Sequence, residues 1–155
     1  MKKYNSEADT KAHIFLVGAY IGVVVLELVN RKEEHDASKL LPPEKEIFDE
    51  VTPLLRGLTY GSDDYKAMLG KIKPALDHHY KNNRHHPEYF ENGIDGMNLI
   101  DLIEMICDWK SATARHADGD IYRSLEINKE RFGISDQLAN ILKNTVDFFV
   151  TKESE

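Results

Sequence analysis

Seven histidines stand among 27 acidic residues and one cysteine, and most of them sit in short runs with carboxylates. One run is Glu34-His35-Asp36-Ala37-Ser38-Lys39. A second, from His78-His79 through Asn82-Asn83-Arg84 to His85-His86-Pro87-Glu88, holds four of the seven. A third is Asp101, Glu104 and Asp108, in which 104 and 108 fall one helical turn apart. His13 stands alone at the edge of an apolar stretch. Imidazole with carboxylate is a donor set for borderline divalent ions such as Zn, Mn, Fe, Co or Ni. A single cysteine leaves no thiolate site. Closed structural zinc sites normally combine Cys with His, so a His/Asp set points to a catalytic centre with an open position. The adjacent His35 and Asp36 diverge by about 100° around a helix, but their unequal reach lets both grip one ion near a helix end. Asp108, between Ile106-Cys107 and Trp109, is in an apolar setting where a bare carboxylate is costly and calls for a metal or a cation. Single histidines are most often surface or satisfied core residues. One metal site explains all three runs together.

The elements that must position these runs read as helices. Apolar residues recur at three- and four-residue spacing, with no sustained alternation of the kind strands show. A first helix is expected from Asp9 to Arg31 after a Ser6-to-Asp9 capping signal. Pro42-Pro43-Glu44 opens a second, with Ile47, Phe48, Val51, Leu54 and Leu55 on one face and a stop near Gly57. A third is expected from Asp63 to Asn82, kinked or reset at Pro74. A loop covers His85 to Gly93. A strong helix follows from Met97 to Arg115, its buried stripe Leu99, Leu102, Ile103, Ile106 and Trp109. Asp118-Gly119-Asp120 caps a short helix to Lys129, and Ser135 caps a last amphipathic one. The expected fold class is all-α: one compact helical domain over residues 1–155, with about six to seven helices and frayed ends at 1–8 and 152–155.

At 155 residues and 17.8 kDa the chain suits one domain. Lys+Arg number 20 against 27 Asp+Glu, a net charge of −7. That balance argues against a surface that coats long nucleic acid or anionic lipid, both of which want a positive field. A small phosphorylated substrate needs only a local positive group. Cys107 cannot form an internal disulfide, and the chain reads as cytoplasmic. The apolar run His13 to Val29 raises the membrane question. It is short for a span, which takes about 20 apolar residues, and Glu27 lies within it. Ser6-Glu7-Ala8-Asp9 disfavours a signal peptide. The expected reading is a helix buried on nearly all sides in the domain centre, with no membrane partner.

The order His…His-Asp…Asp resembles the HD-domain superfamily of metal-dependent phosphohydrolases, all-helical proteins named for the adjacent pair. His35-Asp36-Ala37-Ser38-Lys39 is similar to the HD-x-[GS]-K form of many members. Ile103-Glu104-Met105-Ile106-Cys107-Asp108-Trp109-Lys110-Ser111-Ala112 resembles the helix that carries the last ligand. The resemblance implies His13, His35, Asp36 and Asp108 as metal ligands, and Lys39 as a phosphate-assisting lysine. The His78-His79 pair, followed by Pro87-Glu88-Tyr89, is similar to the HD-GYP branch, although the Gly-Tyr-Pro turn is absent. So is the separate histidine that branch places between the two pairs. His-Asp-x-Ser-Lys together with His-His-Tyr-x-Asn-x-x-His-His-Pro-Glu-Tyr-Phe and Arg115-His116-x-x-Gly119-Asp120 looks like an uncharacterised HD-like family of bacteria and phages.

These readings combine into one expectation. A divalent transition metal, with His79 as a further ligand, serves a hydrolase of small phosphate esters, nucleotides foremost, through metal-activated water. Lys39, His78, His79 and Glu104 are the expected catalytic groups, His78 and His79 either as further ligands or as acid–base residues near neutral pH. Lys39, Asn82, Arg84, His85, His86 and Arg115 are expected to bind substrate. Two other functions fit the same residues: a di-iron oxygenase of HD type, and a non-catalytic nucleotide-binding or regulatory module. Leu125, Ile127, Phe132 and Ile134 are assigned either to packing or to a homodimer contact.

Overall fold

A computed structural model describes residues 5–55, 63–114 and 119–153. The fold is all-α: six α-helices and three short 3-10 turns, with no strand among the described residues. The chain divides into two compact units, Met1–His35 and Asp36–Glu155.

The first unit is one helix, α1 (Glu7–Glu34). Its amino end is capped by Asn5 Oδ1, which accepts from the Glu7 N–H at 3.0 Å, while the Ser6 side chain makes no cap bond. Ion pairs one turn apart, Lys11–Glu7 at 2.6 Å and Arg31–Glu27 at 2.9 Å, lie near its two ends. The expected burial of this helix is not found: none of its residues is buried, and Phe15 is 75% exposed. Apolar side chains surround the whole helix, so the sequence carries no stripe that selects a packing face. By length and composition alone α1 passes as a candidate membrane span. Of the amino end expected to fray, residues 1–4 lie outside the described residues, and Glu7 and Ala8 are helical.

The second unit begins with a 3-10 turn, Ala37–Leu40, followed by α2 (Glu44–Leu55) and α3 (Asp63–Asn82). These two helices pack along each other, with Val51, Ile72 and Ala75 buried. The α3 bounds agree with the periodicity, but the helix runs on through Pro74, whose ring sits in an exposed position. Leu54, expected on the buried face of α2, is exposed.

After 3-10 turns at Pro87–Tyr89 and Gly93–Gly96 come α4 (Leu99–Ala114), α5 (Ile121–Phe132) and α6 (Asp136–Glu153). Asn98 and Asp101 form a reciprocal cap that starts α4 two residues later than expected. Asn98 Oδ1 accepts from the Asp101 N–H at 3.0 Å, and Asp101 Oδ2 accepts from the Asn98 N–H at 3.0 Å. Asp120 Oδ1 caps α5 by accepting from the Tyr122 and Arg123 N–H groups. That helix extends past Lys129 to Phe132 and ends at Gly133, whose φ of 63° is open to glycine without strain. Ser135 Oγ accepts from Leu138 N–H at 3.3 Å at the start of α6, which is helical to Glu153; residues 154–155 of the end expected to fray lie outside the described residues.

The apolar core of this unit lies among α4, α5 and α6: Met105, Ile106, Trp109, Ile121, Leu125, Ile134, Leu142 and Val146 are buried together. Trp109 and Phe132 stack with planes 8° apart. Leu99, expected in the buried stripe, is 73% exposed. The stripe runs through 102, 105, 106 and 109, and Leu99 is the first residue of the helix, beyond the packed turns. Leu125, Phe132 and Ile134 take part in packing, whereas Ile127 is exposed.

Candidate metal centre

Asp36 enters the second unit in a left-handed conformation, φ 57° and ψ 13°. Few residue types tolerate it, and a short carboxylate is one of them. The 3-10 turn that follows closes on it through Lys39 N–H to Asp36 O at 2.9 Å. The Lys39 ammonium donates to Asp36 Oδ2 at 2.6 Å. Asp36 Oδ1 faces two imidazoles, His79 Nε2 at 3.2 Å and His85 Nε2 at 3.5 Å.

His79 comes from the last turn of α3 and is 1% exposed. His85 and His86 come from the segment between α3 and the Pro87–Tyr89 turn. Pro87 disfavours a helical conformation in the residue before it, and His86 is accordingly extended, φ −101° and ψ 129°. A turn closed by His86 N–H on Asn83 O at 3.2 Å brings the chain back, and His86 Nε2 lies 2.9 Å from His79 Nε2. Asp36, His79, His85 and His86 each offer one ligand atom, and the four atoms lie within 4.8 Å of one another. Four such donors from three separate stretches of chain form a group that could hold a metal ion.

The tautomers follow from what each outer nitrogen meets. His79 Nδ1 lies 2.9 Å from Glu44 Oε2, and a carboxylate only accepts, so Nδ1 is the protonated nitrogen. The Asn83 amide nitrogen is also 2.9 Å from His79 Nδ1. Its two hydrogens, however, go to His79 O and Ser38 Oγ, each at 2.8 Å, which leaves Nδ1–H for Glu44. His85 repeats the pattern, with Nδ1 at 3.1 Å from Glu104 Oε1. In the neutral form of both rings the lone pair then sits on Nε2, on the side of Asp36 Oδ1. An imidazole held by a carboxylate on its far nitrogen is the usual support of a metal-bound histidine.

His86 adds an electrostatic argument. Burial, and then the positive fields of His85 and His79, push its pKa from 6.5 to about 3, against the opposing charge of Asp108. A neutral imidazole is the form that ligates. The donor set thus fits a borderline divalent ion on the chemistry of its own groups.

The remaining expected site residues fall in several places. His13 lies exposed on α1, and His35 is the residue that ends that helix; both belong to the first unit. Asp108 is half-buried on α4, one turn beyond Glu104. Glu104, expected to be catalytic, orients His85. His78 is half-exposed and meets Glu44 Oε1 through Nδ1 at 2.7 Å. Asn82 donates to the His78 carbonyl at 2.7 Å. Arg84, expected to bind substrate, holds Asp101 through two parallel bonds of 2.9 and 3.1 Å and lies over the Phe90 ring at 4.8 Å. Asp101 is buried in that pair and in the α4 cap. Arg115 lies outside the described residues.

His85 and His86, expected on the substrate side, bring their Nε2 atoms into the group that could hold a metal ion. Their spacing from His79 was the available signal, since a short turn returns a chain on itself. Glu44 had no such signal, because an acidic residue opening a helix reads as a dipole partner.

No curated protein matches this chain, and no solved structure does. One family pattern does match, over residues 2–148, a span that takes in α1, the Asp36 turn, both histidine pairs and α4. The chain therefore belongs to the family described as a family of unknown function, DUF5662.

Proposed function

We propose that the centre holds a divalent transition ion (Mn, Co, Ni, Zn or Fe) and that the protein is a metal-dependent phosphohydrolase of HD type. Its substrate would be a small phosphate ester, foremost a nucleotide. One observation carries the reading: Asp36 Oδ1 and the Nε2 atoms of His79, His85 and His86 converge, and carboxylates hold the first two rings from behind. When bound, such an ion lowers the pKa of water and offsets phosphate charge. The resemblance would add His13, His35 and Asp108 to the ligand set, and metal stoichiometry separates a mononuclear from a dinuclear centre.

The chain's own residues supply the rest. Asp36 brings a carboxylate to a set of three imidazoles. Lys39, on the other oxygen of Asp36, is a cation beside the ligand group and serves a phosphoryl oxygen as a point charge. Arg84 is engaged with Asp101, and phosphate recognition is assigned to Lys39. The acidic net charge disfavours long nucleic acid as substrate.

The test pairs elemental analysis of chelator-free protein with phosphate release from a nucleotide panel supplied with Mn, Co, Ni, Zn or Mg. Asp36→Ala is expected to lower turnover by about 100-fold or more, at the upper end of what metal-site changes cost. Undiminished turnover in that variant overturns the proposal. The imidazole-rich donor set also suits iron. Two irons per chain, with oxygen consumption and no phosphate release, favour the oxygenase reading.

A further inference from the structure

Glu44 is fully buried, and its two close ion-pair contacts are both imidazoles: His78 Nδ1 at 2.7 Å from Oε1 and His79 Nδ1 at 2.9 Å from Oε2. A carboxylate in such a place is costly unless both oxygens are satisfied. It opens α2, where the helix dipole favours negative charge. Resting on the metal reading above, we propose that Glu44 is a positioning residue that sets the tautomer of both histidines with one side chain and thereby tunes the metal affinity of the centre.

One independent contact, on the His78 side, agrees with this assignment. With Nδ1–H of His79 donated to Glu44, Nε2 is left as an acceptor facing Asp36 and His86, the orientation a ligand needs. With Nδ1–H of His78 donated to the other oxygen, Nε2 of His78 is an acceptor too. The group on that side is a donor, the Asn82 amide nitrogen at 3.4 Å. The orientation of that amide is set by its 2.7 Å bond to the His78 carbonyl.

An amide cannot replace this carboxylate. Only one of its two ends accepts, so a glutamine at 44 serves one imidazole and presents N–H to the other. It also removes the negative charge that raises the basicity of His79 Nε2. Glu44 touches no ligand atom and acts through His79. The isosteric change therefore separates orientation and charge from simple packing.

The experiment uses the full chain freed of metal with EDTA. Co(II) is titrated into the wild type and Glu44→Gln, followed by its visible absorption. Nitrogen NMR of the histidines, before metal is added, reports their tautomers. Glu44→Gln is expected to weaken Co(II) binding 10- to 100-fold, with thermal unfolding of the metal-free form little changed. In the wild type His78 and His79 are expected as Nδ1–H tautomers, and in Glu44→Gln one of them shifts to Nε2–H. Equal Co(II) affinity in the two proteins overturns the inference. So does an Nε2–H tautomer at His79 in the wild type, a reading that stands even if the variant fails to fold. A wild type that takes up no Co(II) but shows the Nδ1–H tautomers instead sinks the metal reading and leaves the role of Glu44 in orientation intact.

Discussion

His86 is held neutral by burial and by the positive fields of His85 and His79, and this has a consequence for stability. Its pKa is about 3 in the folded protein against an ordinary 6.5. Between those values the unfolded chain binds a proton that the folded chain refuses, so stability rises with pH. The contribution is fully present above 6.5 and is lost as pH falls toward 3. The slope is at most about 1.4 kcal/mol per pH unit for one proton. Urea unfolding of EDTA-treated protein from pH 8 to pH 4 is expected to show that slope, and His86→Gln is expected to flatten it. An unchanged slope in the variant would place the effect on other groups. The same neutrality keeps a lone pair available at physiological pH, so a residue that limits acid stability is also one ready to ligate.

At the scale of elements, the segment between α3 and α4 decides whether His85 and His86 reach His79. Two side chains brace it: Arg84, stacked over Phe90 and paired with Asp101, and Phe90 itself. A Cβ built on Gly96 would lie 2.7 Å from Phe90 Cβ, so any larger residue there must displace the Phe90 backbone or ring. Gly96→Ala is expected to cost about 1–3 kcal/mol, the range for overpacking, and to weaken metal uptake as well. Parallel thermal melts and Co(II) titrations check both. The bounds of α3 and the caps at Asp120 and Ser135 were legible because aspartate and serine mark helix starts through local chemistry. The burial of α1 was not legible. A run apolar on every side carries no face that selects a packing partner. The grouping of Asp36 with His79, His85 and His86 was partly legible, as clusters of the right residue types. Which cluster meets which depends on a left-handed residue at 36 and a return of the chain at Pro87, and neither is a periodic signal. Glu44 was invisible for the opposite reason: its local role as a first-turn acid already explained it.

For the whole second unit, the ligand group ties segments that the apolar core does not. The core lies among α4, α5 and α6, whereas Asp36, His79 and the 85–86 segment belong to the α2–α3 side, with Glu104 reaching His85 from α4. A bound ion would therefore add its binding free energy to the cohesion of the parts the core leaves out. With free metal at about 1,000 times Kd that stabilisation is about 4 kcal/mol. For a unit of this size it corresponds to a rise in Tm on the order of 10 °C. His85→Ala removes a donor and a buried ring, so its metal-free form melts lower as well; the informative quantity is the difference between metal-bound and metal-free Tm, expected to collapse. Asp120→Ala provides the contrast. It deletes a helix cap on α5, away from the ligand group, and is expected to cost about 1 kcal/mol in both forms alike. Changes at separate sites add, so this variant should keep the full metal-dependent rise. Calorimetry of the three proteins with and without Co(II) decides the matter. A metal-dependent rise in His85→Ala as large as in the wild type would remove His85 from the ligand group, and with it the link from the α3 end to α4.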